Sequence, residues 1–64
     1  QFGITPFEYR QKLRMGTAKR MLEFSDQEVK AIAERLGFAN IYHFTRVFSK
    51  FYGLPPARFR HRSL

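Results

Sequence analysis

The chain is short and strongly basic. It has 64 residues, and its 12 Lys and Arg against 5 Asp and Glu give a formal net charge of +7. This length allows one small domain, and the charge favours a polyanionic partner such as nucleic acid or an anionic membrane surface. Because cysteine is absent, disulfides, thiolate metal sites and cysteine nucleophiles are excluded. No apolar run approaches the roughly 20 residues of a transmembrane helix, so we expect no membrane span.

The first predicted element is a long helix that begins at Pro6. Thr5 and Glu8 have the spacing of a capping box, and Pro6 suits the first helical position. The helix runs to about Glu23. Its expected buried stripe consists of Leu13, Ala18, Met21 and Leu22. Its remaining surface is expected to be basic, through Arg10, Lys12, Arg14, Lys19 and Arg20.

A second capping box, from Ser25 to Glu28, predicts a short helix of about nine residues that ends near Leu36. Gly37 is expected to end this helix, and Phe38 is expected to enter the core. The apolar stripe predicted for the helix consists of Val29, Ile32, Ala33 and Leu36.

Residues 40–52 carry the strongest pattern in the chain. Asn40 suits an N-cap, Gly53 lies where a helix ends in a left-handed residue, and Pro55 follows two residues later. Apolar residues at helical spacing predict a core face made of Ile41, Phe44, Val47, Phe48 and Phe51. A polar face with the same spacing consists of Tyr42, Thr45, Arg46 and Ser49. Because a short helix and a turn containing Gly precede it, the pattern is typical of a helix-turn-helix unit.

Beyond Gly53, a last short helix is expected to start at Pro55 or Pro56. It should carry Phe59 inward and three arginines outward, namely Arg58, Arg60 and Arg62. The final residues are expected to fray. The predicted fold class is therefore all-α, with a long connecting helix, one helix-turn-helix unit and a short C-terminal helix.

Two segments, 3–10 and 53–60, share one pattern. Both read Gly, an aliphatic residue, any residue, Pro, two residues of any kind, an aromatic residue and Arg. Chance agreement is one explanation, and a duplicated helical unit is the other. On the second explanation, residues 1–5 are the tail of a first unit whose recognition helix lies ahead of Gln1. Residues 6–24 are then the connecting helix, and residues 25–64 the second unit.

The sequence offers little for catalysis. Its acids lie at predicted helix ends or on exposed faces, where capping and solvation explain Glu8, Glu23, Asp26, Glu28 and Glu34. His43 and His61 are far apart, and neither lies one helical turn from another metal-ligating residue. No glycine-rich phosphate loop is present. We therefore predict that the chain is not an enzyme and holds no metal or cofactor.

The polar face of residues 40–52 is the candidate site. A capped helix of about three turns fits the DNA major groove, and the candidate base contacts are Ile41, Tyr42, Thr45 and Arg46. Arg46 is the strongest of these, since a guanidinium can pair with O6 and N7 of guanine. Ile41 lies at the edge of the core stripe and meets either the core or a thymine methyl. Candidate phosphate contacts are Asn40, Ser49, Lys50, Arg58 and Arg60, with Arg62 beside them. A merely solvated face is the alternative.

These residues resemble the DNA-binding domain of AraC/XylS-type transcription regulators. The resemblance covers essentially the whole chain and rests on Ile32-Ala33, Gly37-Phe38, Phe44-x-Arg46-x-Phe48 and Gly53-x-x-Pro56. It implies a homeodomain-like fold in which two helix-turn-helix units are joined by a long helix. It further implies a bacterial cytoplasmic regulator that binds double-stranded DNA through the base-contact residues given above. RNA polymerase, a first helix-turn-helix unit and a separate effector-sensing or dimerisation domain are the implied partners.

The sequence departs from the family pattern at two positions. His43 stands where an aromatic residue is common, and Ser49 stands where Lys or Arg is frequent. We expect His43 to pack rather than reach a phosphate, and Ser49 to have lost a basic contact. With one recognition helix of two, the chain is expected to bind DNA weakly and to expose apolar groups on the Pro6 to Glu23 helix.

Two other functions stay open. In a basic RNA-binding or ribosome-associated module, charge would account for binding, and Arg46→Ala would lower affinity no more than Arg62→Ala, equally for all sequences. In a protein-interaction module, exposed aromatic residues would dock a partner, and the complex would be insensitive to high salt, unlike phosphate binding. Membrane-surface binding by the first helix is disfavoured, because few bulky apolar residues line one continuous face.

Overall fold

A computed structural model describes residues 3–62 of the chain, with the exception of the side chain of Arg62. This part of the chain forms helices only: α1 (Pro6–Phe24), α2 (Val29–Arg35), α3 (Ile41–Tyr52) and α4 (Pro56–Arg62). The all-α class and the order of the elements are therefore confirmed. The outward orientation predicted for Arg62 and the frayed C-terminus lie outside the described residues.

The predicted capping box at the start of α1 is confirmed. The Thr5 backbone N–H donates to Glu8 Oε1 at 3.0 Å, and the Glu8 backbone N–H donates to Thr5 Oγ1 at 3.1 Å. Pro6 occupies the first turn, where its missing N–H costs nothing. At the other end, the Ser25 N–H donates to the carbonyl of Met21. The helix thus ends at Phe24, one residue beyond the predicted end.

The buried stripe of α1 differs from the prediction. Residues with the spacing i, i+4, i+7 and i+11 face the core, namely Gln11, Met15, Ala18 and Leu22. Leu13 was assigned wrongly, since 55% of it is exposed, and Met21 is only half-buried. The cause is that α1 carries apolar side chains on two opposite sides, and periodicity within the helix does not show which side the other helices cover.

The prediction of a second capping box, from Ser25 to Glu28, is wrong. Ser25 caps the end of α1 instead, where its hydroxyl donates to the Met21 carbonyl at 2.7 Å and accepts from the Gln27 N–H at 3.3 Å. With this hydroxyl in use, α2 begins later, at Val29. Its N-cap is Glu28, which makes no side-chain capping bond. The helix has seven residues rather than about nine.

The end of α2 forms the turn of the helix-turn-helix unit. Gly37 has φ of +87°, its N–H donates to the Glu34 carbonyl, and the Phe38 N–H donates to the Ala33 carbonyl. This is the double hydrogen bond of a Schellman motif, which requires a left-handed residue at the position of Gly37. Phe38 is carried into the core, as predicted, and is 6% exposed. Within α2, Ile32 and Ala33 are buried, and Val29 and Leu36 pack against the core.

Aromatic rings fill the space between the helices. Phe44 and Phe48 of α3 are fully buried, and Phe48 lies 5.5 Å from the ring of Phe59 on α4 and 4.7 Å from that of Tyr52. Each such ring removes a large apolar area from water, which a chain of this size needs. The inward position predicted for Phe59 is confirmed. Phe51 was placed in the core wrongly, because it lies at an edge of the α3 stripe that the other helices leave 40% exposed.

Candidate nucleic-acid interface

Helix α3 is fixed in place by caps at both ends. Asn40 accepts a hydrogen bond from the His43 N–H at 2.9 Å, so the predicted N-cap is confirmed. Gly53 has φ of +82° and donates its N–H to the Ser49 carbonyl, so the predicted C-terminal end is confirmed as well. Twelve residues make a helix about 18 Å long. The buried rings of Phe44 and Phe48 hold α3 against the other helices, and its opposite side faces solvent.

The outer face of α3 consists of Tyr42, Thr45, Arg46 and Ser49. Tyr42 is 81% exposed, Arg46 is exposed, and Thr45 and Ser49 are half-buried on the flank. At 100° per residue, Arg46 points almost directly away from the side occupied by Phe44 and Phe48. Within residues 3–62, neither the Tyr42 hydroxyl nor the Arg46 guanidinium has a hydrogen-bond or ion-pair partner. Both groups are available to a ligand that supplies donors and acceptors.

Ile41 lies at the border between the core and the outer face. It is half-buried and lines a small cleft with Lys30, Glu34 and Ala39. Part of the side chain therefore reaches solvent next to Tyr42, where an apolar group of a ligand could contact it.

His43 is exposed on a flank of α3, about 100° around the helix from Tyr42. Its ring meets that of Phe38 edge-on, with centroids 5.3 Å apart and an interplanar angle of 79°. This contact supports the packing role expected for His43, in preference to a contact with phosphate.

The candidate phosphate contacts differ in how available they are. Lys50 and Arg58 are exposed, and neither has an ion-pair partner among the described residues. Asn40 uses its side-chain oxygen for the cap but remains exposed at the N-terminal end of α3. Ser49 is half-buried and carries no charge. Lys50, Arg58 and Asn40 thus stay compatible with a contact to an anion.

Arg60 is not available, and its predicted outward orientation is wrong. Its guanidinium donates to the carbonyls of Leu22 at 3.1 Å, Gln27 at 2.5 Å, Ser25 at 3.0 Å and Met21 at 3.4 Å. The last turn of α1 has no basic residue of its own, and the carbonyls at a helix end have no partner within the helix. Arg60 meets this need from α4, so it cannot contact a phosphate in this structure.

Arg14 is a second arginine that turns inward, although the sequence indicated an exposed basic residue. Its Nε and Nη2 donate to the Leu36 carbonyl at 3.2 and 2.7 Å, and its Nη1 donates to Gln11 Oε1 at 2.8 Å. The guanidinium lies 4.6 Å from the centre of the Phe38 ring, a cation–π distance. The spacing in the sequence could have indicated this inward position. Arg14 follows Gln11 by three residues and precedes Ala18 by four, which places it at the edge of the buried stripe.

Apolar side chains are exposed at the N-terminal end of α1, as expected. Phe7, Tyr9 and Leu13 lie on this helix, and Ile4 precedes it. Ile4 and Phe7 form a groove of about 670 Å³ with Phe51 of α3, bordered by Lys12, Lys50 and His43. Helices α2 to α4 cover the later turns of α1, whereas the residues of its first turn are exposed.

The described part of the chain contains neither a cluster of metal ligands nor a helix that could span a membrane. Residues 3–62 contain no group of three or more His, Asp or Glu that could hold a metal ion. Their helices also lack the combination of length and apolar character that crossing a bilayer requires.

The sequence is similar to known transcription regulators. A family model described as a helix-turn-helix domain matches residues 1–62. The chain is 42% identical over 60 residues to the HTH-type transcriptional regulator YobQ of Bacillus subtilis, covering 94% of this chain and 25% of YobQ. It is 37% identical over 60 residues to the MmsAB operon regulatory protein of Pseudomonas aeruginosa, covering 94% of this chain and 20% of that protein. The chain is 36% identical over 61 residues to the HTH-type transcriptional activator RhaS of Pectobacterium carotovorum, covering 95% of this chain and 22% of RhaS.

The chain therefore spans a quarter or less of the length of these relatives. Among solved structures, it is similar to the C-terminal domain of the two-component response regulator yesN of Fusobacterium nucleatum. The two share 34% identity and a TM-score of 0.86, and the match covers 92% of this chain and 57% of that one. The arrangement of α1 to α4 is thus one that a solved regulator domain also has.

Proposed function

Because the chain belongs to the AraC/XylS-type family of helix-turn-helix transcriptional regulators, we propose that it binds double-stranded DNA with α3 in the major groove. The observation that carries this proposal is the outer face of α3, where Tyr42 and Arg46 are exposed and lack partners within residues 3–62. The α3 backbone is held rigidly by caps and by buried rings. A rigid helix can enter a groove about 12 Å wide without paying a large ordering cost.

Each residue of the site has a role that follows from its chemistry. Arg46 pairs with O6 and N7 of a guanine, which is worth about 1–3 kcal/mol of discrimination against other bases. Tyr42 and Thr45 contact base-edge acceptors or a thymine methyl, and Ile41 contacts a thymine methyl from the border of the core. These contacts carry the sequence preference.

The phosphate contacts orient the domain on the duplex. Lys50 and Arg58 supply charge, and the N-terminal end of α3 at Asn40 offers backbone N–H groups and the positive end of the helix dipole. Ser49 adds a hydroxyl donor at most. Arg60 is left out of this set, since α1 and the following loop already accept its hydrogen bonds. Binding should weaken as salt rises, in proportion to the phosphates that these cations neutralise.

The longer polypeptide is expected to supply further parts. We infer a first helix-turn-helix unit ahead of Gln1, with residues 6–24 as the connecting helix and residues 25–64 as the second unit. A separate effector-sensing or dimerisation domain and a contact with RNA polymerase complete the proposed partners. We also propose a cytoplasmic, non-enzymatic protein, since the relatives are named as regulators.

Selection from a pool of random DNA duplexes at low salt tests the proposal. The wild-type chain should enrich a preferred sequence, although its affinity should be weak with one recognition helix. Arg46→Ala should lose the preference at one base pair, whereas Arg58→Ala, the matched control on α4, should keep the preference and lower affinity for every duplex. Equal and uniform losses for the two variants would instead favour the RNA-binding alternative, in which charge accounts for binding. Operator affinity at moderate salt equal to that of a complete two-unit domain would contradict the predicted weakness.

A further inference from the structure

A flank of α3 with cationic character lies directly beside its outer face. At 100° per residue, Lys50 lies about 40° and His43 about 60° around the helix from Arg46, in the same direction. Tyr42 and Ser49 lie on the other side of Arg46. The flank with Lys50 therefore adjoins the outer face, and it forms a groove with the N-terminal half of α1.

Helix α1 contributes a second cation to this groove. Lys12 of α1 and Lys50 of α3 both line it. Both side chains are exposed, and within residues 3–62 neither has an ion-pair partner. Among the described residues that line the groove, Glu8 is the only acid, and its Oε1 accepts the Thr5 N–H in the capping box. Two lysines from different helices thus converge on one groove without a paired carboxylate.

This arrangement favours an anion with several charges in a row. A cleft lined by one sign of charge concentrates its field on a ligand of the opposite sign. A helix that lies in a major groove has a phosphate strand along each of its sides. When the outer face of α3 is turned to the bases, the flank with Lys50 meets one of these strands, and Lys12 stands beside it across the groove.

We propose that Lys12 contacts phosphates of the same DNA strand as Lys50, so that α1 binds the duplex together with α3. The inference rests on the proposed function and deepens it, since it adds a contact from a second helix and fixes which side of the domain faces that strand. A duplex is preferred to a small organic anion, because the two lysines continue the face on which Arg46 is exposed. His43 takes no part in the contact, since its ring packs on Phe38.

The salt dependence of binding tests the contact. Fluorescence anisotropy of the 64-residue chain with the selected duplex, between about 25 and 100 mM salt, gives the slope of log affinity against log salt concentration. Each neutralised phosphate contributes about 0.9 to this slope, so Lys12→Ala should make it shallower by about 0.9. Its loss of affinity should then be about 3.5-fold greater at the lower salt concentration than at the higher. Lys12→Arg should keep the wild-type slope.

Lys19→Ala is the matched control for this measurement. Lys19 is also an exposed lysine of α1, two helical turns after Lys12 and on the same side of the helix, but it does not line the groove. This variant loses the same charge and should keep the wild-type slope. Lys12→Ala combined with Lys50→Ala should make the slope shallower by about 1.8, since the two lysines neutralise different phosphates.

Directed cleavage of the DNA locates the contact. The chain has no cysteine, so Lys12→Cys can be labelled at a single site with an iron chelate that cuts nearby sugar-phosphate backbone. The labelled variant should cut one strand, next to the positions cut by labelled Lys50→Cys. Labelled Lys19→Cys should cut no more than the free chelate does.

A Lys12→Ala slope equal to that of wild type would overturn the inference, as would equal cleavage from the labels at positions 12 and 19. A loss of affinity confined to the preferred duplex would also overturn it, because a phosphate contact carries no base preference. If the wild type prefers a sequence and Arg46→Ala abolishes that preference, the proposed function stands whatever Lys12→Ala does. A wild-type chain that binds no duplex would overturn both.

Discussion

Four arginines of this chain form two pairs that differ in what their guanidinium groups contact. Arg14 and Arg60 reach across to carbonyls at the ends of α2 and α1. Arg46 and Arg58 extend from α3 and α4 into solvent. All four add equally to the net charge of +7, yet the first two hold the helices together and only the others are available to an anion. Net charge therefore overstates the cationic surface that this domain offers to an anionic partner.

Removing the inward-facing Arg60 should have the largest effect. Arg60→Ala leaves several part-buried carbonyls without a donor, which should lower the free energy of unfolding by about 3 kcal/mol. A domain of this size is stabilised by roughly 3–10 kcal/mol, so the variant should be partly unfolded near room temperature. Urea denaturation followed by circular dichroism measures this change. Arg58→Ala, two residues away on α4, is the control and should stay within about 0.5 kcal/mol of wild type; a loss equal to that of Arg60→Ala would contradict the distinction.

Removing Arg14 should lower the free energy of unfolding by less, because its guanidinium donates to fewer acceptor groups than that of Arg60 does. Arg14→Ala loses the bonds to the Leu36 carbonyl and the contact with the Phe38 ring, for an expected cost of about 2 kcal/mol. Arg14→Lys should recover only part of this, since an ammonium cannot reproduce the fork of a guanidinium. The same urea experiment applies, with Lys19→Ala as the exposed control on α1. Full recovery by Arg14→Lys would show that charge rather than geometry matters at this position.

Arg46 should show the opposite behaviour to Arg14 and Arg60. Arg46→Ala should leave the unfolding midpoint unchanged, because the guanidinium has no partner in residues 3–62. It should lower the discrimination at one base pair by about 1–3 kcal/mol. Fluorescence anisotropy with the selected duplex and a single-base variant of it measures this difference. A shift of the unfolding midpoint larger than that of Arg58→Ala would show that Arg46 also belongs to the inward-facing group.

Local patterns in the sequence were sufficient for the start of α1, for both caps of α3 and, apart from Phe51, for the two faces of α3. The Thr5 to Glu8 box, the Asn40 cap and the left-handed Gly53 depend on groups within a few residues of each other, and all are confirmed. The inward position of Phe44 and Phe48 followed from helical spacing in the same way.

The predictions that failed concern residues whose contacts lie far from them in the sequence or on other helices. Arg60 was predicted to point outward because its carbonyl partners lie more than thirty residues earlier, at positions that nothing near Arg60 reveals. Leu13 was assigned to the core, and Met15 was not, because α1 has two apolar sides and only the packing of the other helices selects one. Ser25 has the spacing of an N-cap, but its hydroxyl serves the end of α1. The exposure of Tyr42 and Arg46 could be predicted because it follows from a local pattern in α3.

An inward-facing tyrosine of α3, Tyr52, gives the smallest expected effect. Burial raises the pKa of Tyr52 above its ordinary value of 10.0. The positive charge of Arg20 lowers this pKa by a smaller amount, and the negative charge of Glu23 adds a smaller increase. The folded state therefore holds the neutral phenol more strongly than the unfolded chain does, so this contribution to stability is full below pH 10 and is lost as the pH rises above it. Urea denaturation between pH 8 and about 11 should show a shallower fall in stability for Tyr52→Phe than for wild type. Identical profiles for Tyr52→Phe and wild type would exclude a contribution of Tyr52 to this pH dependence.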